Sequence, residues 1–176
     1  MTVRPILALD LATRTGWAHR DSTGHVSFGW LDVSTGESSV GATCPADAAV
    51  RMGRALVFQR FLNFLLVQGA GSLIVYEDLV SRRHHALRIA AHLEAVLFLR
   101  PECKMSIGPS ALKKWATGNG ASKKPAMVAA ATKRWGARLG GEITDENEAD
   151  ALLLLAWGQE QVDVGAPTKE ESEHVA

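Results

Sequence analysis

The sequence predicts a single mixed α/β domain, with an antiparallel three-stranded meander first and buried strands of parallel type, flanked by helices, after it. Three observations carry this reading. Two apolar segments separated by a short polar stretch open the chain over residues 5–20, and an alternating segment, residues 25–33 (HVSFGWLDV), follows them. Residues 72–76 (SLIVY) form a short, wholly apolar run, the composition of a central strand covered on both faces. Segments of helical period fill most of the remaining chain. With residues 103–107 as a further short strand, the predicted sheet has five strands.

Taken in order, residues 5–9 form an apolar strand that ends in a carboxylate, Asp10. The polar stretch 12–16 reads as a turn, and the second strand resumes at Trp17. A carboxylate at the inner end of a hydrophobic strand is costly unless a cation or strong hydrogen bonds compensate it. Taken alone, Asp10 reads equally well as a turn cap. After the third strand, residues 34–43 have loop composition. Residues 45–67 carry helical spacing, with Pro45 suited to a first turn and Gly69 and Gly71 closing the segment. The strand 72–76 then ends in a second carboxylate, Glu77. Two apolar strands that each deliver an acid at the same relative point are hard to explain as independent caps.

Residues 81–100 form a second helical segment whose entry is basic, with Arg82, Arg83, His84, His85 and Arg88. Cations at a helix N-terminus oppose the helix dipole, so phosphate contact is a better reason for them than local stability. Residues 109–115 predict a short helix, 117–122 (TGNGAS) a glycine-rich loop and 123–136 another helix. Asp145 starts the last helix, in capping-box spacing with Glu148. On that helix Asp150 shares a face with Leu153, Leu154 and Trp157. It is a third acid on an apolar surface, with Glu146 and Asn147 one turn before it.

At 176 residues and 47% hydrophobic content the chain suits one domain with a substantial core, assigned to residues 1–163. Residues 164–176 are small, polar and acidic, and predict a disordered tail. The formal net charge is zero, but its distribution is uneven. Residues 100–138 hold nine Lys or Arg against Glu102 alone, whereas residues 163–176 carry a net charge of −3. A local positive field of that size suits a polyanion partner. The alternative for such a run is a solvated helix face. Cys44 and Cys103 lie far apart in no CxxC spacing, so neither a zinc site nor a disulfide framework is indicated. No apolar run reaches membrane-spanning length, and the start of the chain is not a signal peptide, so a cytoplasmic protein is expected.

Three carboxylates converging from two strand ends and one helix can be neutralised together by cations. Oxygen-only ligands select hard ions, Mg²⁺ or Mn²⁺, over zinc. Two such ions about 4 Å apart serve phosphodiester hydrolysis, and the basic region supplies a reason for phosphates to be near.

On LALDLATRTGWA with Asp10, IVYE with Glu77, LKKWATGNGASKKPAM, and NEADALLLL with Asp150, the chain resembles the RuvC-like Holliday junction resolvases over residues 5–160. The lysine-flanked glycine loop is the most specific of these motifs. The resemblance implies an RNase H-like fold and a homodimer whose two acidic sites nick opposing strands of a four-way DNA junction, leaving 5′-phosphate and 3′-hydroxyl ends. It implies Asp10, Glu77, Asn147 and Asp150 as ligands of two Mg²⁺ or Mn²⁺ ions, with Lys124 acting beside them. It also places Lys113 and Lys124 where the family has lysines near the scissile phosphate or on DNA, and gives residues 85–99 as the dimer helix; Arg14, Arg82, Arg83, Lys114 and Lys123 are further candidate DNA contacts. Two positions depart from the family pattern. Asn147 stands where the family has Asp or His, leaving either the uncharged Asn147 oxygen or Glu146 as the fourth ligand, and Val80 stands where the family often has an aromatic residue that unstacks the junction. The mild overall charge and acidic tail suit a phage- or prophage-encoded relative. Two other readings compete: a metal-free protein that only binds branched DNA, and a fragment of the actin-like ATPase superfamily, whose phosphate hairpin LDLATRTG also fits. No partner helicase is indicated.

Overall fold

In a computed structural model of the chain, residues 3–12, 14–32, 71–78, 95, 97 and 103–165 are described. The predicted helix 45–67, almost all of 81–100 with Arg82 and Arg83, Val80, and residues 166–176 lie outside the described residues; Val164 and Gly165, assigned to the tail 164–176, instead continue the last helix. Five strands form one sheet: β1 (Ile6–Asp10), β2 (Arg14–Arg20), β3 (Val26–Asp32), β4 (Leu73–Glu77) and β5 (Lys104–Ile107). Their order is β3-β2-β1-β4-β5, antiparallel across β3-β2-β1 and parallel across β1-β4-β5. The predicted meander and the buried parallel strands are both present. Three described helices follow: α1 (Pro109–Thr117), α2 (Lys124–Leu139) and α3 (Glu146–Gly165).

The β2–β3 turn is closed by Asp21, whose Oδ1 accepts from the Thr23 and His25 amides at 2.8 and 3.0 Å. Gly24 takes the left-handed conformation, φ 87°, that this turn requires. The first turn is tighter than the predicted 12–16 stretch. β2 already begins at Arg14, and the Thr15 hydroxyl donates to the Ala12 carbonyl at 2.8 Å.

Gly16 therefore lies inside a strand, and its neighbour explains why it is glycine. A Cβ there would stand 2.1 Å from the backbone oxygen of Asn147, so the first turn of α3 rests directly on β2. Gly16→Ala must push the helix start away from the sheet, an overpacking cost of roughly 1–3 kcal/mol. A fall in melting temperature of roughly 3–10 °C is expected, and thermal unfolding that matches the wild type would contradict this packing.

The last helix was expected to bury one face. Instead Ala151 to Ala156 are all buried, each 4% exposed or less. The sheet lies on one side of α3 and α2 on the other, and the buried Trp135 indole donates to the Leu152 carbonyl at 3.0 Å. A helix covered all round is apolar all round.

Candidate metal and nucleic-acid site

Ile6 and Ala8 of β1, and Leu73 and Val75 of β4, lie in the core shared with the helices. Strand side chains alternate between faces, so Asp10 and Glu77 fall on that same face. The parallel register Leu9↔Tyr76 sets the two acids side by side just beyond it. Because α3 starts against Gly16, opposite Asp10 in the β1–β2 register, its first turns bring Asp150 to the same end of the sheet.

The three acids feel one another. Burial, and then the charges of Asp150 and Glu77, push the Asp10 carboxyl up to about 8, with Lys124 opposing. Burial and then Asp150 raise Glu77 to about 7, with Lys113 opposing. Asp150 rises to about 6, chiefly through burial, while Lys124 and Lys113 hold it down. Lys113 and Lys124 are thus the cations whose fields reach the acids, one from α1 and one from the first residue of α2.

Asp145 caps α3. Its Oδ1 accepts from the Asn147 and Glu148 amides at 2.9 and 3.2 Å and from the Asn147 side-chain nitrogen at 3.2 Å. The amide oxygen of Asn147, the atom an ion would take, is not used in this bond. The other Asp145 oxygen accepts from Arg14 at 2.9 Å, and the Arg14 guanidinium lies 3.6 Å from the centre of the Trp30 ring. Glu146 is hydrogen-bonded to the Lys124 ammonium. This bond leads the causes that raise Lys124.

The donor chemistry fits a hard divalent cation: oxygen atoms only, with negative charge that burial leaves poorly compensated. Among the described residues, however, no group of three or more His, Cys, Asp or Glu side chains is arranged to hold an ion. Charges interact over many ångströms at low dielectric, whereas ligation needs oxygens about 2 Å from one point. The acids are grouped electrostatically without being drawn around a single point.

Lys114 and Lys123 are exposed beside the glycine loop. That loop is ordered by its own side chains. The Thr117 and Ser122 hydroxyls meet at 2.6 Å, and Asn119 Oδ1 accepts from the Ala121 amide at 3.0 Å. The basic run of residues 100–138 is less available than its charge implies. Arg134 is bonded to Glu160 at 2.6 Å and lies over Trp115, and Arg138 donates to the Gly24 carbonyl at 2.7 Å. Two contacts were not foreseen from the sequence, Arg14 with Asp145 and Lys124 with Glu146. The available signal for the second was that both residues lie in the first turns of predicted helices next to candidate site residues.

No protein-family model matches the chain, and no curated protein matches it. Solved structures do match. Thermus thermophilus RuvC aligns with a TM-score of 0.56 at 18% identity, over 91% of this chain and 96% of that one. The fold is that of RuvC. T. thermophilus RuvC in complex with a Holliday junction substrate gives a TM-score of 0.57 at 16% identity, over 90% of this chain and 97% of that one. The yeast mitochondrial Holliday junction resolvase Ydc2 gives 0.59 at 13% identity, over 90% of this chain and 81% of that one. The mixed parallel and antiparallel five-stranded sheet with its helices matches the RuvC-like fold.

Proposed function

We propose that the chain is a divalent-metal-dependent endonuclease that resolves four-way DNA junctions. The observation that carries this is the placement of Asp10 and Glu77 side by side at the ends of β1 and β4, with the start of α3 resting on Gly16 and bringing Asp150 to the same end of the sheet. Asp10, Glu77, Asp150 and the Asn147 oxygen would hold the metal. Bound Mg²⁺ or Mn²⁺, two ions per site, supplies an activated water and charge stabilisation of the leaving oxygen. Lys113 and Lys124, whose fields already reach the acids, would bind the phosphate about to be cut. Arg14, Arg82, Arg83, Lys114 and Lys123 would meet the backbone of the junction arms, a contact set that orients without reading sequence.

The products would be paired nicks with 5′-phosphate and 3′-hydroxyl ends, made by residues 1–163 as one nuclease domain in the cytoplasm, the acidic residues 164–176 lying outside that domain. Among the described residues no helix is long and apolar enough to cross a membrane. Pairing of the nicks calls for a homodimer, proposed through residues 85–99. Ala95 of that stretch is helical and exposed, and Leu97 is helical and buried. Light scattering that reports a monomer both free and on DNA would contradict the dimer.

Asn147 supplies the test. Beside Asp150 it offers an oxygen without a charge, so affinity for the ion drops, and Mn²⁺, easier to dehydrate, gains over Mg²⁺. Junction cleavage is expected to need high Mg²⁺ or to run better with Mn²⁺. Asn147→Asp should lower the half-saturating Mg²⁺ concentration by roughly tenfold, and Asn147→Ala should raise it. Variants that titrate identically with the wild type remove Asn147 from the site. One observation favours a second reading, a junction-binding protein without cleavage: the acids are not gathered around one point. The same titration separates the two, because that protein cuts nothing at any metal concentration.

A further inference from the structure

We infer that Glu146 is an internal stand-in for a DNA phosphate, holding the Lys124 ammonium in the free protein and giving it up when a junction binds. The inference rests on the proposed role of Lys124 in meeting DNA. Lys124 is the first residue of α2 and Glu146 the first of α3, 22 positions apart, and their side chains are hydrogen-bonded and ion-paired. The helix dipole favours Glu146 at its position and disfavours Lys124 at its own. The ammonium therefore depends on acceptors outside its helix, and Glu146 is the one in contact. Asp150 and Asp10 add attraction from beyond it.

The pair is open to exchange. The Lys124 side chain is 66% exposed and that of Glu146 46%, and ion pairs in such surroundings are weak. A phosphate oxygen offers the same acceptor chemistry, backed by the charge of the whole polyanion. The neighbouring residue repeats the arrangement. Asp145 binds Arg14, another proposed DNA contact at this end of the sheet. Both cations are thus occupied by consecutive carboxylates at the start of α3. Asp145 also caps that helix, so its removal would disturb the fold, whereas Glu146 accepts no capping bond and is separable.

The test is a double-variant cycle on binding of the full chain to a synthetic four-way junction, followed by fluorescence anisotropy in metal-free buffer with EDTA. Glu146→Gln keeps the side-chain length and removes the competing charge, so the junction should bind roughly 2–5-fold tighter. Lys124→Ala should bind more weakly than the wild type. The double variant should match Lys124→Ala, because with no lysine there is nothing to release. The inference is overturned if Glu146→Gln binds no tighter than the wild type. It is equally overturned if the same gain persists in the Lys124→Ala background, which would mark plain removal of a repelling charge. A wild type that does not bind the junction at all would instead remove the proposed function, and the exchange with it.

Discussion

Asp10→Asn is expected to reduce junction cleavage by at least roughly a hundredfold while leaving junction binding within about a factor of three. The loss is large because an amide at the end of β1 keeps the shape and one oxygen but withdraws the charge that would hold a cation. Removing a single charge-stabilising group from an active centre commonly costs 10²–10³ in rate, roughly this size. Binding survives because Asp10 lies among acids, and taking away one negative charge does not harm contact with a polyanion. Glu77→Gln should behave in the same way, since Glu77 sits next to Asp10 across the β1–β4 register. Cleavage by either variant at near wild-type rate would sink the assignment.

The same change should stabilise the metal-free protein. The carboxyls of Asp10, Glu77 and Asp150 rise from ordinary values of 3.8, 4.5 and 3.8 to about 8, 7 and 6 in the fold. Between those limits the folded chain holds more protons than the unfolded chain, so stability falls as the pH rises from about 4 towards 8. Asp10 carries the largest share. A shift of even two pKa units is worth on the order of 3 kcal/mol, and for a chain of this length that is a melting shift of roughly 5–10 °C. In EDTA at pH 8, Asp10→Asn should melt above the wild type by about that amount, and near pH 4 the two should coincide. Added Mn²⁺ should raise the wild type at pH 8 and leave Asp10→Asn nearly unmoved. Equal melting of the two proteins in EDTA at pH 8 would show that Asp10 carries no uncompensated charge.

Much of this was legible in the sequence because strands announce themselves by composition and acids at their ends stand out. Residues 72–76 read as a buried central strand, and β4 runs parallel to both β1 and β5. The spacing of Asp145 and Glu148 gave the start of α3, where Asp145 does cap the helix. Gly16 looked like part of a turn because glycine in a short polar stretch usually is. Its actual reason is a helix 130 residues later in the chain, which no local pattern carries. Part of the basic run has partners that the sequence does not show, for a similar cause. Arg134 and Arg138 count as charges in the sequence, but their guanidiniums are spent on Glu160 and the Gly24 carbonyl, partners far away along the chain. The pairing of Lys124 with Glu146 was missed on the same ground, since it depends on two helix starts meeting in space.

A nuclease centre of Asp10, Glu77 and Asp150 that acts on branched DNA has a strand-specific signature. The most direct measurement is a four-way junction labelled in turn on each of its strands, incubated with the wild type and Mn²⁺ beside a linear duplex of matching sequence. Nicks are expected at symmetry-related positions on two opposing strands, abolished by EDTA, with the duplex left intact. A junction that is bound but uncut at every Mg²⁺ and Mn²⁺ concentration, or a duplex cut as fast as the junction, would contradict it.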